Sequence, residues 1–191
     1  MSDGPDGVSR EAVAVAIWLV GLSGAGKSLT AQAIAAELAQ DSRPALVLDG
    51  DELREGLNAD LGFSRADRHE AARRTAAVSV QAAASGVVPV TAMITPYAGS
   101  RAQARAVHEA AGVAFVEVWV ATPIEVCAAR DGKGLYAAAR HGLMTGLTGV
   151  DDPFEEPANP DCVLDASSTP ALELARRVLA ALRVELRAAA R

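Results

Sequence analysis

The sequence predicts an α/β fold, a parallel five-stranded sheet with helices on both of its faces. Two observations carry this. Five apolar runs rich in Val and Ile alternate with segments whose apolar residues recur every three or four positions, and a glycine-rich stretch joins the first run to the first helical segment. With 191 residues, half of them hydrophobic, the chain suits one domain with an ample core.

In chain order, residues 1–13 read as a flexible N-terminal arm, with Gly and Pro and no apolar period, and a single domain is expected over 14–191. The runs "VAVAIWLV", "ALVLDGD", "GVVPVTAMI", "VAFVEVWVA" and "DCVLDAS" read as strands. Their near-continuous apolar character is that of strands buried on both faces. Between them, "KSLTAQAIAAELAQ", "ADRHEAARRTAAVSVQAAAS", "SRAQARAVHEAAG" and "TPIEVCAARD" carry helical spacing and good helix formers. A last helix opens at Pro170, where the missing N–H costs nothing. The segment from about 132 to 160 breaks the rhythm, being rich in Gly, Pro and charge, and is expected to be a mobile lid without regular structure.

A net charge of -6 argues against nucleic acid or an anionic membrane as partner. The two cysteines, Cys127 and Cys162, are not spaced for a metal or a redox pair, and a reducing cytoplasm is the expected location. The polar opening "MSDGPDGVSREA" and the short apolar run after it indicate neither signal peptide nor membrane anchor. His69, His108 and His141 lack triad or metal spacing and are expected on the surface or the lid.

"GLSGAGKS" satisfies the pattern G-x-x-x-x-G-K-[ST] between a strand and a helix, which makes the fold a P-loop NTPase type. Gly21, Leu22, Ser23, Gly24, Ala25 and Gly26 would wrap backbone amides around phosphate oxygens. Lys27 would reach the terminal phosphates, and the Ser28 hydroxyl would ligate Mg²⁺. ATP and Mg²⁺ are therefore the expected donor and cofactor. The competing readings are a glycine-rich turn without nucleotide and a nucleotide-binding regulatory module without catalysis.

Four further stretches, "LDGDELREGLNADLGFSRADRHEAARR", "MITPY", "RDGKGLYAAARHG" and "LTGVDDPFEEP", follow the P-loop in order. Together with "IWLVGLSGAGKS" they resemble the adenylylsulfate kinase family, from about Ala16 to Asp165. The resemblance implies ATP-dependent phosphorylation of the 3′-hydroxyl of adenosine 5′-phosphosulfate. It gives Lys27, Asp49 and Asp51 catalytic roles, with Asp51 deprotonating or orienting the acceptor hydroxyl. It puts Arg130 beside the ATP base. Arg54 and Arg68 would hold the phosphosulfate, and Phe63 would stack on the acceptor adenine. Ile94 within "MITPY", Lys133 at the lid entry and Leu147 would complete the acceptor pocket, with Arg101 and Arg105 on the following helix. A homodimer is the assembly the resemblance suggests. By themselves, "LDGDEL" also reads as a strand followed by an acidic helix cap, Arg54 and Arg68 as solvated helix charges, Phe63 as a core residue, and Pro96 and Tyr97 as a strand-ending turn.

The chain departs from the family pattern mainly on the acceptor side. Ala71 stands where Asn is usual, Leu147 and Met93 where Phe is usual, Ala137 and Ala138 where Lys is frequent, and Phe154 where Tyr is usual; Leu29 replaces a common Thr after "GKS". One lost stacking ring is worth about 1–3 kcal/mol. These departures motivate an alternative, a family member that phosphorylates a hydroxyl on a different nucleoside-like or specialised metabolite.

Overall fold

Every side chain of β1 (Val15–Val20) is buried, as its unbroken apolar sequence requires of a strand covered on both faces. The structure is a computed structural model and describes residues 13–189. After β1 come α1 (Lys27–Gln40), β2 (Ala45–Asp49), α2 (Gly50–Glu55), α3 (Arg65–Ala84), β3 (Val88–Ala92) and α4 (Ala98–Ala110). Then follow β4 (Ala114–Val120), α5 (Ile124–Arg130), α6 (Leu135–Arg140), β5 (Cys162–Leu164) and α7 (Ala171–Ala189).

The five strands form one parallel sheet in the order β2-β3-β1-β4-β5. β1 is central, with Ile17 opposite Val90 on one side and Val116 on the other. The period of two splits β1 between two cores. Val15, Ile17 and Leu19 pack with Ile34 and Leu38 of α1 and with Leu174, Val178 and Leu182 of α7. Trp18 and Val20 pack with Ala72 and Ala76 of α3, Ala104 of α4 and Phe115. In such a sheet, ligands sit at the carboxyl ends of the strands where the winding reverses, here around the end of β1.

The strands agree with the five expected runs, and α1, α3, α4, α5 and α7 with the five expected helices. Two short helices lie outside the five expected ones, although a helix start at "LDGDEL" stood as the alternative reading of that stretch. α2 follows β2 directly, capped by the Asp49 side chain, and six residues are too few to display a helical period. α6 lies inside 132–160, a segment expected to lack regular structure; Gly134 in a left-handed conformation starts it, and the Asp131 carboxylate accepts from Tyr136 N at 3.0 Å and Ala137 N at 2.8 Å. The expected arm lies outside the described residues except for Val13, which is exposed. No helix among the described residues is long and apolar enough to cross a membrane.

His108 is a correction to the sequence reading, because it lies in the core at 0 % exposure. Its Nδ1 is 2.7 Å from the Ala104 carbonyl oxygen and its Nε2 2.7 Å from Ser79 Oγ, and its ring packs against Trp18 and Phe115. A carbonyl only accepts, so Nδ1 carries the proton and Nε2 of the neutral ring accepts from the serine. Burial lowers its pKa below the ordinary histidine value, although the Ala104 bond opposes this. Of the other two, His69 is half-buried, bonded to Ser100 and stacked on Tyr97, and His141 is exposed on the segment expected to form the lid.

Candidate active site

The loop after β1 can be built only with glycine at its first position. Gly21 has φ 147°, and a Cβ there would stand 2.5 Å from the Val120 carbonyl oxygen of the neighbouring strand. The loop then turns into α1, whose first residues are Lys27 and Ser28, so the positive end of the helix and both side chains meet at one place. Lys27 Nζ donates to the carbonyls of Gly21 at 2.9 Å and Leu22 at 2.7 Å. Burial pushes its pKa down to about 8, against the opposing pull of Cys127, Asp49 and Asp51.

A cleft of about 910 Å³ opens above this loop, lined by Ser23, Gly24, Gly26, Lys27 and Ser28. Gly21, Leu22 and Ala25 do not line it and support the loop from outside. Ala25 is fully buried, its carbonyl accepting from Thr122 Oγ1 at 2.8 Å, and Leu22 faces a separate groove with Trp119 and Phe154.

Asp49 ends β2 and Asp51 lies in the first turn of α2, and both face the cleft. The cap is Asp49, whose Oδ1 accepts from Asp51 N at 2.9 Å, so the buried first aspartate fixes the second. The Asp51 carboxylate is 64 % exposed and pairs with Lys133 Nζ, which reaches it from the segment between α5 and α6.

On the acceptor side expected from the sequence, the cleft is lined by Arg54, Phe63, Arg68, Ala71, Met93, Ile94 and Leu147. Phe63 is 63 % exposed rather than a core residue, with the Arg54 guanidinium 3.9 Å from its ring centroid and Arg68 at 5.6 Å. Arg54 donates to the carbonyls of Leu61 and Gly62; Arg68 donates to those of Phe63 and Gly146, at 2.9 Å each, and lies 3.6 Å from Asp152. Burial and then the nearby Arg68 lower the Arg54 pKa. Two guanidiniums crowded around an exposed ring suit a ligand that brings an aromatic face and negative charge together. Of the positions that depart from the family pattern, Ala71, Met93 and Leu147 line this same cleft, the first and last buried and Met93 half-buried, whereas Ala137, Ala138 and Phe154 do not line it.

The other end of the cleft is formed by Arg130 and the turn Ala166–Ala171. Arg130 Nη1 donates to Gly24 O at 3.2 Å, and Nη2 to the carbonyls of Ala166 and Ser167. It thereby joins the phosphate loop to the segment ahead of α7.

The structure keeps three residues of the expected pocket region away from it. Arg101 pairs with the buried Glu117 of β4 at 3.0 Å, and Arg105 with Asp161 at 2.9 Å, as an ion network joining α4 to β4 and to the residue ahead of β5. Tyr97 is buried, its hydroxyl donating to Asp152 at 3.0 Å. Sequence reasoning missed Thr95, which lines the cleft with φ 40°. Its side chain accepts from Trp18 Nε1 at 3.1 Å and its carbonyl from Arg101 at 3.0 Å, which together hold that strained backbone.

For Mg²⁺, the residues offered are the Ser28 hydroxyl and the Asp49 and Asp51 carboxylates, all facing the cleft. No group of three or more His, Cys, Asp or Glu able to hold a metal occurs among the described residues. A single hydroxyl with nearby carboxylates fits Mg²⁺, which keeps several waters and completes its shell with substrate phosphates.

Comparison with known proteins agrees with this geometry. The adenylylsulphate kinase family model matches residues 13–165. An adenylyl-sulfate kinase of Paraburkholderia xenovorans is 48 % identical over 166 residues, 87 % of this chain and 91 % of the relative. One from Lactiplantibacillus plantarum is 45 % identical over 165 residues, 86 % and 79 % respectively. Among solved structures, the Mycobacterium tuberculosis APS kinase CysC in complex with AMPPNP and APS superposes with a TM-score of 0.86 at 46 % identity, covering 88 % of this chain and 97 % of that one. A phosphate loop facing a paired-arginine and phenylalanine pocket across one cleft, in a chain matched over most of its length, makes this protein a member of the adenylylsulfate kinase family.

Proposed function

We propose that the protein transfers the γ-phosphate of ATP to the 3′-hydroxyl of adenosine 5′-phosphosulfate, with Mg²⁺ as cofactor. The observation that carries this is the single cleft in which Lys27 and Ser28 face Asp51, Arg54, Phe63, Arg68 and Lys133.

The backbone at Ser23, Gly24 and Gly26 and the Lys27 side chain would cradle the donor phosphates, with the donor base near Arg130. Arg54 and Arg68 offer paired donors to the acceptor phosphosulfate, while Phe63, Met93 and Leu147 offer apolar faces to its adenine. Asp51, fixed by Asp49, receives or orients the proton of the attacking hydroxyl. Phosphoryl transfer depends on positioning and charge neutralisation more than on a strong base, so a well-placed carboxylate suffices. Mg²⁺, held through Ser28 with Asp49 and Asp51 nearby, would offset charge on the transferring group when bound. Segment 132–160, brought over the cleft, would exclude water and deliver Lys133.

A second reading, transfer to a hydroxyl of a different nucleoside-like metabolite, draws on Ala71, Met93 and Leu147; the names carried by relatives at 45–48 % identity weigh against it. ADP release measured over a panel of acceptors tests both. Release that depends on adenylylsulfate at low concentration supports the proposal, faster release with another hydroxyl compound supports the second reading, and no acceptor-dependent release contradicts both. A homodimer and a cytoplasmic location complete the proposal.

A further inference from the structure

Tyr136 is a buried hydroxyl to which the mechanism above gives no task. It is 4 % exposed, lines the cleft, and donates to the Ser23 carbonyl at 2.9 Å from 113 residues further along the chain. Burial pushes its pKa up to about 12, so it keeps the proton that makes this bond.

Both ends of the bond matter. Ser23 O belongs to the Ser23–Gly24 peptide, at the tip of the phosphate loop. The described residues contain no cis peptide bond, so fixing this carbonyl toward Tyr136 turns the Gly24 N–H to the opposite side. The next carbonyl, Gly24 O, is held by Arg130. The loop tip is thus held through two successive carbonyls by residues at the root of the lid segment, and its amide directions follow from them.

At the other end, Tyr136 lies in the first turn of α6, three residues after Lys133. The Asp131 carboxylate accepts from Tyr136 N and Ala137 N, which closes residues 131–137 into one unit with Lys133 inside it. Lys133 reaches from that unit to Asp51.

We infer that Tyr136 is a positioning residue whose hydroxyl couples the amide cradle at Ser23–Gly24 to the placement of Lys133, so that an occupied phosphate loop sets the lid cation over the acceptor. This deepens the proposed function and rests on it for the acceptor's identity, but the coupling itself needs only the nucleotide.

Tyr136→Phe removes the donor and keeps the buried ring. Two readings test it, both at a temperature where parent and variant are folded, and neither needs acceptor. The first is AMPPNP affinity in the presence of Mg²⁺, expected to weaken about five- to tenfold, the factor associated with one net hydrogen bond. The second is the rate of tryptic cleavage after Lys133, whose side chain is 54 % exposed. AMPPNP should slow this cleavage in the parent, and the variant should keep less than about half of that protection at saturating AMPPNP. Weaker binding together with lost protection supports the coupling. Unchanged AMPPNP affinity, or protection equal to the parent's at saturation, overturns it, as does a parent whose cleavage AMPPNP does not slow. Failure of the parent to turn over adenylylsulfate would overturn the acceptor assignment and leave these two readings intact.

Discussion

Lys133 and Asp51 form an ion pair across the mouth of the cleft, joining residues 82 apart in sequence. Both side chains are more than half exposed, so the pair contributes little to stability and its partners are free to exchange. The cation expected to contact the acceptor and the carboxylate expected to meet the acceptor hydroxyl already occupy one spot. In the proposed reaction, an acceptor bearing phosphosulfate would enter between them.

Asp51→Asn keeps the size of the side chain and the α2 cap, since Asp49 provides that cap. It is expected to lower kcat by about 10²-fold or more, the range of a lost general base, with AMPPNP affinity changed less than about threefold. A kcat within about threefold of the parent would remove Asp51 from the chemistry.

Phe63→Ala is expected to raise KM for adenylylsulfate by about 5- to 100-fold, which corresponds to about 1–3 kcal/mol of stacking. The ring is 63 % exposed, so the melting temperature should stay within about 2 °C. An unchanged KM would show that the acceptor base lies elsewhere.

Lys27 is held at a pKa of about 8 by burial, and phosphate contact favours its charged form. Nucleotide binding at pH 9 should therefore draw in more than about half a proton, seen by calorimetry in buffers of different ionisation enthalpy. Identical heats in those buffers would contradict the assignment. In the free chain the folded state loses this proton before the unfolded state does, so this residue makes stability rise between about pH 8 and 10.5.

His108 gives the opposite end of the pH range. With its folded pKa below the unfolded value of 6.5, the unfolded state binds more protons there, and stability is lost as pH falls below about 6.5. The drop in melting temperature from pH 7 to pH 5 should be smaller in His108→Gln than in the parent. Equal drops would mean that the ring is not a buried neutral base.

Arg101→Ala leaves Glu117 buried without its closest cation, and about 3 kcal/mol of stability should be lost by denaturant titration. Because Arg101 also holds the Thr95 carbonyl at the cleft wall, any rise in KM for adenylylsulfate should accompany that loss of stability. A raised KM with unchanged stability would return Arg101 to the pocket.

The sheet was legible because each strand is a continuous apolar run, and the phosphate loop because its pattern sits between a strand and a helix. The residues that line the cleft were legible only as a set in order along the chain; Phe63 alone reads as core, and Arg54 alone as a solvated charge. What was not legible depends on distant partners. The burial of His108 requires Ser79 on another helix, and the place of Arg101 requires Glu117, which in sequence is one acidic residue within an apolar strand. α2 depends on the cap from Asp49, and α6 on the Asp131 carboxylate that accepts from its first turn, rather than on periodicity. Tyr136 carried no signal of its own, because its partner is a backbone carbonyl 113 residues earlier in the chain.

Phosphorus NMR of the product made from ATP, Mg²⁺ and adenylylsulfate decides whether the 3′-hydroxyl is the acceptor. The expected product shows a new phosphomonoester resonance coupled to the ribose H3′, with the phosphosulfate intact and one ADP formed for each. ADP formed with inorganic phosphate alone, or a phosphate attached at any other position, would contradict that assignment.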